Sequence, residues 1–231
     1  MPIYEKLPNR KESRYVLGAS RAQEVHTGFG THFTHVEYPD PVTQTAHLAG
    51  KQLDHPPSYL RMRRYTQALG TGVIALDPEE PWFFEHKQKS GVKERIQQPL
   101  GEIVLGTTHL MADAFAVSLP SAGQVLQEFG KPLMPIFLTQ SVRTHYQAPG
   151  ARITVDEGLS YYGIRWGELR AYHLGDLDAV KAELKVEEPD IGAAAEEQFD
   201  QVCQELGGQP ASDGEAARDM FAAYQRFIEG E

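Results

Sequence analysis

Ionic side chains recur two residues apart in six short stretches of this chain, and this pattern limits the folds that it can adopt. The stretches span residues 12–14, 61–63, 85–89, 93–95, 152–156 and 181–185. Successive side chains of a β-strand point to opposite faces, so residues two apart share a face. The pattern therefore predicts strands with one apolar face and one charged face, on which Arg and Lys dominate. A barrel closed around such a face would be a cationic tunnel for a polyanion.

Each stretch taken alone has a simpler interpretation. The polar face of an antiparallel sheet often meets water, where surface ion pairs add little stability. Arg61 and Arg63 could belong to such a face. Glu183 and Lys185 could form a cross-strand salt bridge, and Glu85 could orient Lys87 instead of binding a metal ion.

The net charge of −10 does not exclude an anionic ligand, because the acidic residues are concentrated near the C-terminus. Residues 176–231 include fifteen acidic and four basic residues, whereas residues 1–175 are nearly balanced. Net charge governs solubility and steering, not the lining of a cavity. Basic residues form no stripe with interleaved aromatic residues, so we expect no nucleic-acid partner.

The length and composition favour one cytoplasmic domain. The 231 residues suit a single large domain, and 41% hydrophobic with 23% charged residues is typical of a globular protein. No apolar run approaches the roughly 18 residues of a membrane helix, so direct membrane insertion is not expected. The N-terminus lacks the apolar core of a signal peptide. The single cysteine, Cys203, fits a reducing cytoplasm.

Periodicity and turn residues predict eight strands and several helices. A short helix is expected from Ser20, a helix over 121–129, and a helical tail from residue 193 that is interrupted at 207–210. Residues 41–57 are predicted to be a loop, and residues 70–81 to contain turns. The order predicts an α+β fold: a closed antiparallel β-barrel of about eight strands over about 10–188, with inserted and C-terminal helices, the latter over about 193–229. The strands are predicted over 14–17, 31–38, 59–66, 82–89, 92–98, 133–146, 151–156 and 179–186.

Nine segments in chain order carry a resemblance to a known family. The segment 60–65 (LRMRRY) is similar to a paired-arginine strand, 151–156 (ARITVD) to an arginine-isoleucine-threonine-x-aspartate strand, and 182–185 (AELK) to a glutamate-x-lysine strand. Together the nine resemble the polyphosphate-polymerase domain of the vacuolar transporter chaperone (VTC) complex, within the CYTH-like superfamily of triphosphate tunnel enzymes. Arg14 and Arg226 stand where that family has lysines. The other six segments are 13–17, 37–40, 84–87, 91–95, 140–146 and 224–228.

The resemblance implies a single tunnel domain over 1–231 that takes ATP, triphosphate or polyphosphate. Arg suits such ligands because its planar fork binds phosphate oxygens in pairs, whereas Lys acts as a point charge. The implied catalytic cations are Arg61, Arg63, Lys87, Lys93, Arg143 and Arg152, and further substrate contacts are Arg14, Lys185 and Arg226.

The resemblance also implies a divalent metal ion, Mn²⁺ or Mg²⁺, which prefers oxygen ligands. Glu183 is the first candidate ligand, and the others are Glu12, Glu85 and Asp156. ATP-dependent synthesis of polyphosphate is the favoured activity. Hydrolysis of inorganic triphosphate or of a nucleoside triphosphate, and binding of polyphosphate without turnover, stay open as alternatives.

Overall fold

The computed structural model describes residues 3–6, 11–49, 60–77, 79–87, 92–99, 134–165, 167–211 and 224–230. For strand residues 3–6, 49, 60, 86–87, 92–96 and 98–99 it describes the backbone alone. Within these ranges, helix α1 spans Ala22–His32, α2 spans Pro189–Glu205 and α3 spans 224–229. None of these helices combines the length and the apolar character that are needed to cross a bilayer.

The described strands form one antiparallel sheet. They are β1 (Ile3–Lys6), β2 (Lys11–Gly18), β3 (Thr34–Val36), β4 (Val42–Ala49), β5 (Leu60–Thr66), β6 (Val73–Ala75), β7 (Pro81–Lys87), β8 (Val92–Pro99), β9 (Met134–Ala148), β10 (Ala151–Ile164), β11 (Arg170–Leu177), β12 (Ala179–Val186) and β13 (Gln209–Pro210). The strands pair in the order β1-β8-β7-β5-β4-β9-β10-β12-β2-β13, while β3 pairs with β9, and β11 pairs with both β10 and β6.

The predicted antiparallel sheet with few helices is confirmed, and it has more strands than the eight expected. Between the described residues of β1 and β13, at the two ends of this order, no pairing is recorded. Closure of the sheet into a barrel therefore stays a prediction.

A tight hairpin joins the two longest strands, β9 and β10, at Pro149 and Gly150. Gly150 has a φ of +65°, which strongly favours glycine. Its carbonyl accepts hydrogen bonds from the backbone N–H groups of Glu187 (2.8 Å) and Glu188 (3.0 Å). The hairpin tip is thereby fastened to the start of α2.

The apolar residues that alternate with the ionic ones are buried in two clusters. In the first, Met62, Trp82, Phe84 and Leu138 pack with residues of β10 and β11. In the second, the apolar side chains of β2, β9, β10 and β12 pack against α1 and α2. Because these elements cover the apolar face, the ionic residues are left on the opposite face of the sheet.

Two parts of the predicted secondary structure are wrong. The segment 31–38 is not one strand, because α1 extends to His32 and only Thr34–Val36 is extended. The segment 41–57 includes strand β4, which was predicted to be loop. The apolar alternation of β4 is interrupted: buried Gln44, which donates to Gln140 (2.6 Å), lies in the row of Val42, Ala46 and Leu48, and the opposite row buries Thr43 and Thr45.

Other differences concern short or edge elements. Strands β1, β6, β11 and β13 were not predicted, and α2 begins at Pro189, earlier than residue 193. The predicted helix over 121–129 lies outside the described residues. The hairpin of β7 with β8 and the strands β5, β9, β10 and β12 are confirmed.

We expect Phe199→Ala to lower the free energy of unfolding by about 3–5 kcal/mol, because it empties the centre of the second cluster. Phe199 is fully buried and stacks on Phe29, with ring centroids 5.5 Å apart. The matched control is Ile191→Ala on the same helix, where the side chain is 53% exposed and the change should stay within about 0.5 kcal/mol. Urea denaturation measures both, and equal losses would contradict this account of the core.

Candidate functional site

The strand register places ionic residues from six strands on one face of the sheet. Arg61 pairs with Glu85, Arg143 with Asp156, and Glu183 with Arg14. Residues directly opposite one another in an antiparallel pair share a face. We call this surface the charged face; its described ionic side chains are Glu12, Arg14, Arg61, Arg63, Glu85, Arg143, Arg152, Asp156, Lys181, Glu183 and Lys185.

Glu183 lies between two cations on β2 and β12. Its Oε1 accepts from Arg14 Nε (2.7 Å), and its Oε2 lies 2.9 Å from Lys185 Nζ. Arg14 also donates from Nη2 to Glu12 Oε2 at 2.5 Å. Burial would raise the pKa of Glu183, but the charges of Lys185 and Arg14 outweigh it and hold that pKa well below its usual range. Glu183 is therefore a carboxylate at neutral pH.

Arg143 and Asp156 form a two-pronged ion pair across β9 and β10. Arg143 Nε donates to Asp156 Oδ1 at 2.7 Å, and Nη2 donates to Oδ2 at 2.6 Å. Ser141 donates a third bond to Oδ1 at 3.1 Å. Burial acts to lower the pKa of Arg143, but Asp156 reverses this and the pKa rises. The guanidinium is thus held in one orientation and stays charged.

A third pair, on β5 and β7, joins Arg61 to Glu85. Arg61 Nε donates to Glu85 Oε2 at 2.7 Å, and Glu85 is only 1% exposed. His47 is the register partner of Arg61 on β4. Burial, with the charges of Arg61 and Arg63, lowers the pKa of His47 to about 4. The imidazole is consequently neutral at pH 7.

Arg63 has no carboxylate partner in the part of the chain that the structure describes. Its closest recorded contact is a long hydrogen bond from Nε to Thr45 Oγ1, at 3.4 Å. Burial, then the charge of Arg61 and that of Arg143, lower its pKa to about 10, so it is still protonated at pH 7. Because Arg143 acts on Arg63, the β5 and β9 parts of the charged face are electrostatically coupled. Positive charge on this face is not fully compensated.

Four buried polar atoms on the charged face have no hydrogen-bond partner among the described residues. They are Thr43 Oγ1, His145 Nδ1, Arg152 Nε and Thr154 Oγ1. Buried polar atoms are usually bonded to protein or to ordered water, so each such atom needs an explanation. Uncompensated cations and unbonded polar atoms on one face are features expected of an anion-binding site.

The predicted site residues reach this face to different degrees. Arg14, Arg61, Arg63, Arg143, Arg152 and Lys185 share it with the carboxylates Glu12, Glu85, Asp156 and Glu183. Lys87 and Lys93 are register partners two residues beyond Glu85, but their side chains lie outside the described part. Arg226 is exposed on α3, and no described contact brings it to the ion pairs.

Sequence reasoning missed several residues of the charged face. His145 follows Arg143 by two residues on β9, so the same alternation could have found it. His47, Thr43 and Thr45 lie in β4, which was predicted to be loop. Lys181 belongs to the ionic stretch 181–185 but is not among the predicted site residues, yet it is the register partner of Asp156.

The four candidate metal ligands already have cationic partners, which determines how well they fit a divalent ion. Both oxygens of Glu183 and both of Asp156 already contact cations, and Glu12 and Glu85 each contact an arginine. In the described ranges no group of three or more His, Cys, Asp or Glu side chains is placed to hold a metal. As arranged, these side chains do not form a ready-made metal cage, and we derive no step through a metal ion.

Comparisons with known proteins leave the family open. No family model and no curated protein matches this chain. A "putative adenylate cyclase" from Bacillus halodurans shares 11% identity with a TM-score of 0.47, covering 89% of this chain and 95% of that one. Another, from Vibrio parahaemolyticus, shares 11% identity with a TM-score of 0.47, covering 94% and 99%. A chain in the structure of the Schizosaccharomyces pombe Mediator head module shares 10% identity with a TM-score of 0.42, and the match covers 90% of this chain and 95% of that one. TM-scores below 0.5 support no argument, so the site is interpreted from its own residues.

We expect Glu183→Gln to lower the free energy of unfolding at pH 7 by about 1–3 kcal/mol, because Arg14 and Lys185 lose their shared partner. The folded-state pKa of Glu183 is depressed, so its contribution is present above the unfolded pKa of about 4.5 and is lost as pH falls below that value. The variant should therefore lose less stability than the wild type on acidification below about pH 4.5.

Urea titrations between neutral and acidic pH measure this difference. Glu197→Gln on exposed α2 is the matched control and should follow the wild type at every pH. Parallel pH profiles for Glu183→Gln and wild type would contradict the assigned ion pairs.

Proposed function

We propose that this protein is a metal-dependent phosphotransferase that acts on ATP, triphosphate or polyphosphate in the cytoplasm. The most specific form of the proposal is an ATP-dependent polyphosphate polymerase of the VTC type, with the charged face lining a closed tunnel of the CYTH-like superfamily. The observation that carries it is the convergence of arginines from four strands on one partly buried face, where the described cations outnumber the described carboxylates.

The two kinds of arginine on this face suit different tasks. Arg14, Arg61 and Arg143 are held by carboxylates, which fixes their side chains before a ligand arrives. Among the described residues Arg63 has no such partner, and the carboxylate recorded for Arg152 is that of Glu187, 3.8 Å from its Nε. Burying a cation without a close carboxylate costs free energy, which a bound polyanion would offset at Arg63. The side chain of Arg152 is 41% exposed, but its buried Nε has no hydrogen-bond partner in the described part, so phosphate oxygens would also satisfy this group.

Phosphoryl transfer suits such a site because it depends on positioning and charge neutralisation more than on a covalent nucleophile. The fixed and the unpaired arginines together would hold the phosphate chain and offset its charge. Lengthening follows if the acceptor is phosphate or the end of a polymer, and hydrolysis follows if it is water. Mn²⁺ or Mg²⁺, if bound, would offset further negative charge on the phosphate chain, and Glu183 would be the first candidate to hold the ion, provided that it gave up one of its ion pairs.

A specific observation favours a second candidate, a polyphosphate-binding module without turnover. Every candidate metal carboxylate is already engaged by Arg or Lys, so metal binding would require rearrangement of at least one ion pair. If the pairs persist in the bound protein, the face would capture an anion without a carboxylate ligand for the metal.

One incubation separates these activities. The full chain is mixed with ATP and either Mn²⁺ or Mg²⁺, with a metal-free reaction in parallel, and orthophosphate, ADP and polymer are resolved. We expect long polymer with ADP in the metal-containing reactions. Orthophosphate with ADP and no polymer would indicate a hydrolase. ATP binding without turnover would indicate the binding module, and absence of binding would overturn the proposal.

We expect Arg63→Ala to weaken tripolyphosphate binding by at least about tenfold, since charge-assisted hydrogen bonds contribute about 1.5–3 kcal/mol. The free energy of unfolding should change by no more than about 0.5 kcal/mol, or increase, because the substitution relieves repulsion from Arg61 and Arg143. Calorimetry measures the affinity and urea denaturation the stability.

Two further variants serve as comparisons for Arg63→Ala. Arg143→Ala should lose both affinity and stability, because it leaves Asp156 without its partner. Arg21→Ala, on an exposed side chain of the turn before α1, should change neither. Tripolyphosphate affinity that is unchanged in Arg63→Ala and in Arg143→Ala would sink the assignment of the charged face.

A further inference from the structure

Three neighbouring residues of β9 and β10 each bury a polar atom without a hydrogen-bond partner in the described residues. They are His145, Thr154 and Arg152. His145 lies directly opposite Thr154 in the register, and Arg152 is two residues from Thr154 on the same face. Side chains in such positions are separated by about 5–8 Å at their Cβ atoms, which is close enough for one small ligand to reach all three.

The described protein groups around these atoms do not satisfy them as arranged. Thr154 is 6% exposed, and its other register partner, Glu183, has both oxygens engaged by Arg14 and Lys185. The carboxylate recorded nearest Arg152 Nε is Glu187, at 3.8 Å, which is beyond hydrogen-bonding distance. Thr154 is thus a polar side chain more than nine-tenths buried, with a hydroxyl that the described protein leaves unused.

The chemistry of the three groups selects an anion with several acceptor oxygens. Arg152 Nε–H only donates, the Thr154 hydroxyl can donate, and a neutral imidazole nitrogen donates in one tautomer. Burial, then the charges of Arg143 and Arg152, lower the pKa of His145 to about 4, so the ring is neutral at pH 7. One cation and two neutral donors suit a group of modest charge.

The ring of Tyr38 supports this arrangement from the segment between β3 and β4. Its centroid lies 4.4 Å from that of His145, while Tyr38 itself is 54% exposed. The contact restricts the orientation of the imidazole at the solvent-facing side. A ligand would therefore meet an imidazole that is already positioned.

We propose that His145, Thr154 and Arg152 form a subsite for a single phosphate group, either free orthophosphate or the terminal phosphate of a longer chain. The inference rests in part on the proposed function, because the subsite belongs to the charged face. It adds two neutral residues, His145 and Thr154, to the groups that contact the ligand.

Two nearly isosteric variants test the subsite, each with a matched control. Thr154→Val removes the hydroxyl, and His145→Phe removes the ring nitrogens while keeping a ring against Tyr38. Thr144→Val is the control for the first, because Thr144 pairs with Val155 and so lies on the opposite face. His35→Phe is the control for the second, because His35 is exposed on β3.

Calorimetry with the full chain gives the dissociation constants for orthophosphate and for tripolyphosphate. Each site variant should weaken orthophosphate binding by about five- to tenfold, the effect of one net hydrogen bond. Both controls should bind like wild type, and Thr154→Ser, which keeps the hydroxyl, should restore most of the affinity. If both residues contact one phosphate group, the fold loss of affinity in the double variant should be smaller than the product of the fold losses in the two single variants.

The two anions separate the sources of the phosphate. If the site variants lose affinity for both anions, free phosphate and a chain end both enter the subsite. If they lose affinity for tripolyphosphate alone, only a chain end enters. Wild-type affinity of both site variants for both anions would overturn the subsite, with ordered water as the partner of the unbonded atoms.

The outcomes also separate this inference from the proposed function. If the wild type turns over ATP while Thr154→Val and His145→Phe bind both anions normally, the proposed function is supported and the subsite is contradicted. If the wild type binds orthophosphate and the site variants lose affinity as expected, while the wild type neither binds nor processes tripolyphosphate or ATP, the subsite is supported and the proposed function is contradicted.

Discussion

Burial of one face of the sheet determines where every ionic residue of its strands can lie. Met62 is fully buried between Arg61 and Arg63, and Leu184 is fully buried between Glu183 and Lys185. Successive side chains of a strand point to opposite faces. Because these apolar side chains are buried beneath other elements, their ionic neighbours must lie on the opposite face. A shift of one residue in register would bury the arginines against apolar side chains. The hydrophobic core and the charged face are therefore specified by the same constraint.

This coupling explains why so much of the site could be predicted from the sequence. Arg61, Arg63, Arg143, Arg152 and Glu183 lie on strands whose alternation is plain, and the register brings them to one face. The pattern cannot reveal partners, because which carboxylate meets which cation depends on strand order. Arg14 and Glu183 are 169 residues apart in sequence and meet only because β2 pairs with β12.

Strand β4 shows where pattern reasoning fails for a physical reason. Its Thr43 and Thr45 belong to the charged face, and Gln44 belongs to a buried polar network with Gln140 and Arg64 on the other. Because Gln44 interrupts the buried apolar row of Val42, Ala46 and Leu48, the remaining alternation is too short to indicate a strand. The same strand supplies His47 beside Arg61, so the undetected element and part of the undetected site coincide.

The charged face combines side chains held in place by ion pairs with an unmet electrostatic demand, namely a cation without a carboxylate partner and polar atoms without a hydrogen-bond partner among the described residues. Its ion pairs fix Arg14, Arg61 and Arg143, which reduces the reorganisation needed when an anion binds. The unmet demand comes from Arg63 and from the unbonded atoms of Arg152, Thr154 and His145, in a region where burial and then repulsion from Arg61 lower the pKa of Arg63. Further carboxylates could have relieved that repulsion, but they would also have competed with an incoming anion. Neutral groups such as Thr154 and His145 provide hydrogen-bond donors without adding repulsion beside Arg152, whose Nε has no hydrogen-bond partner among the described residues.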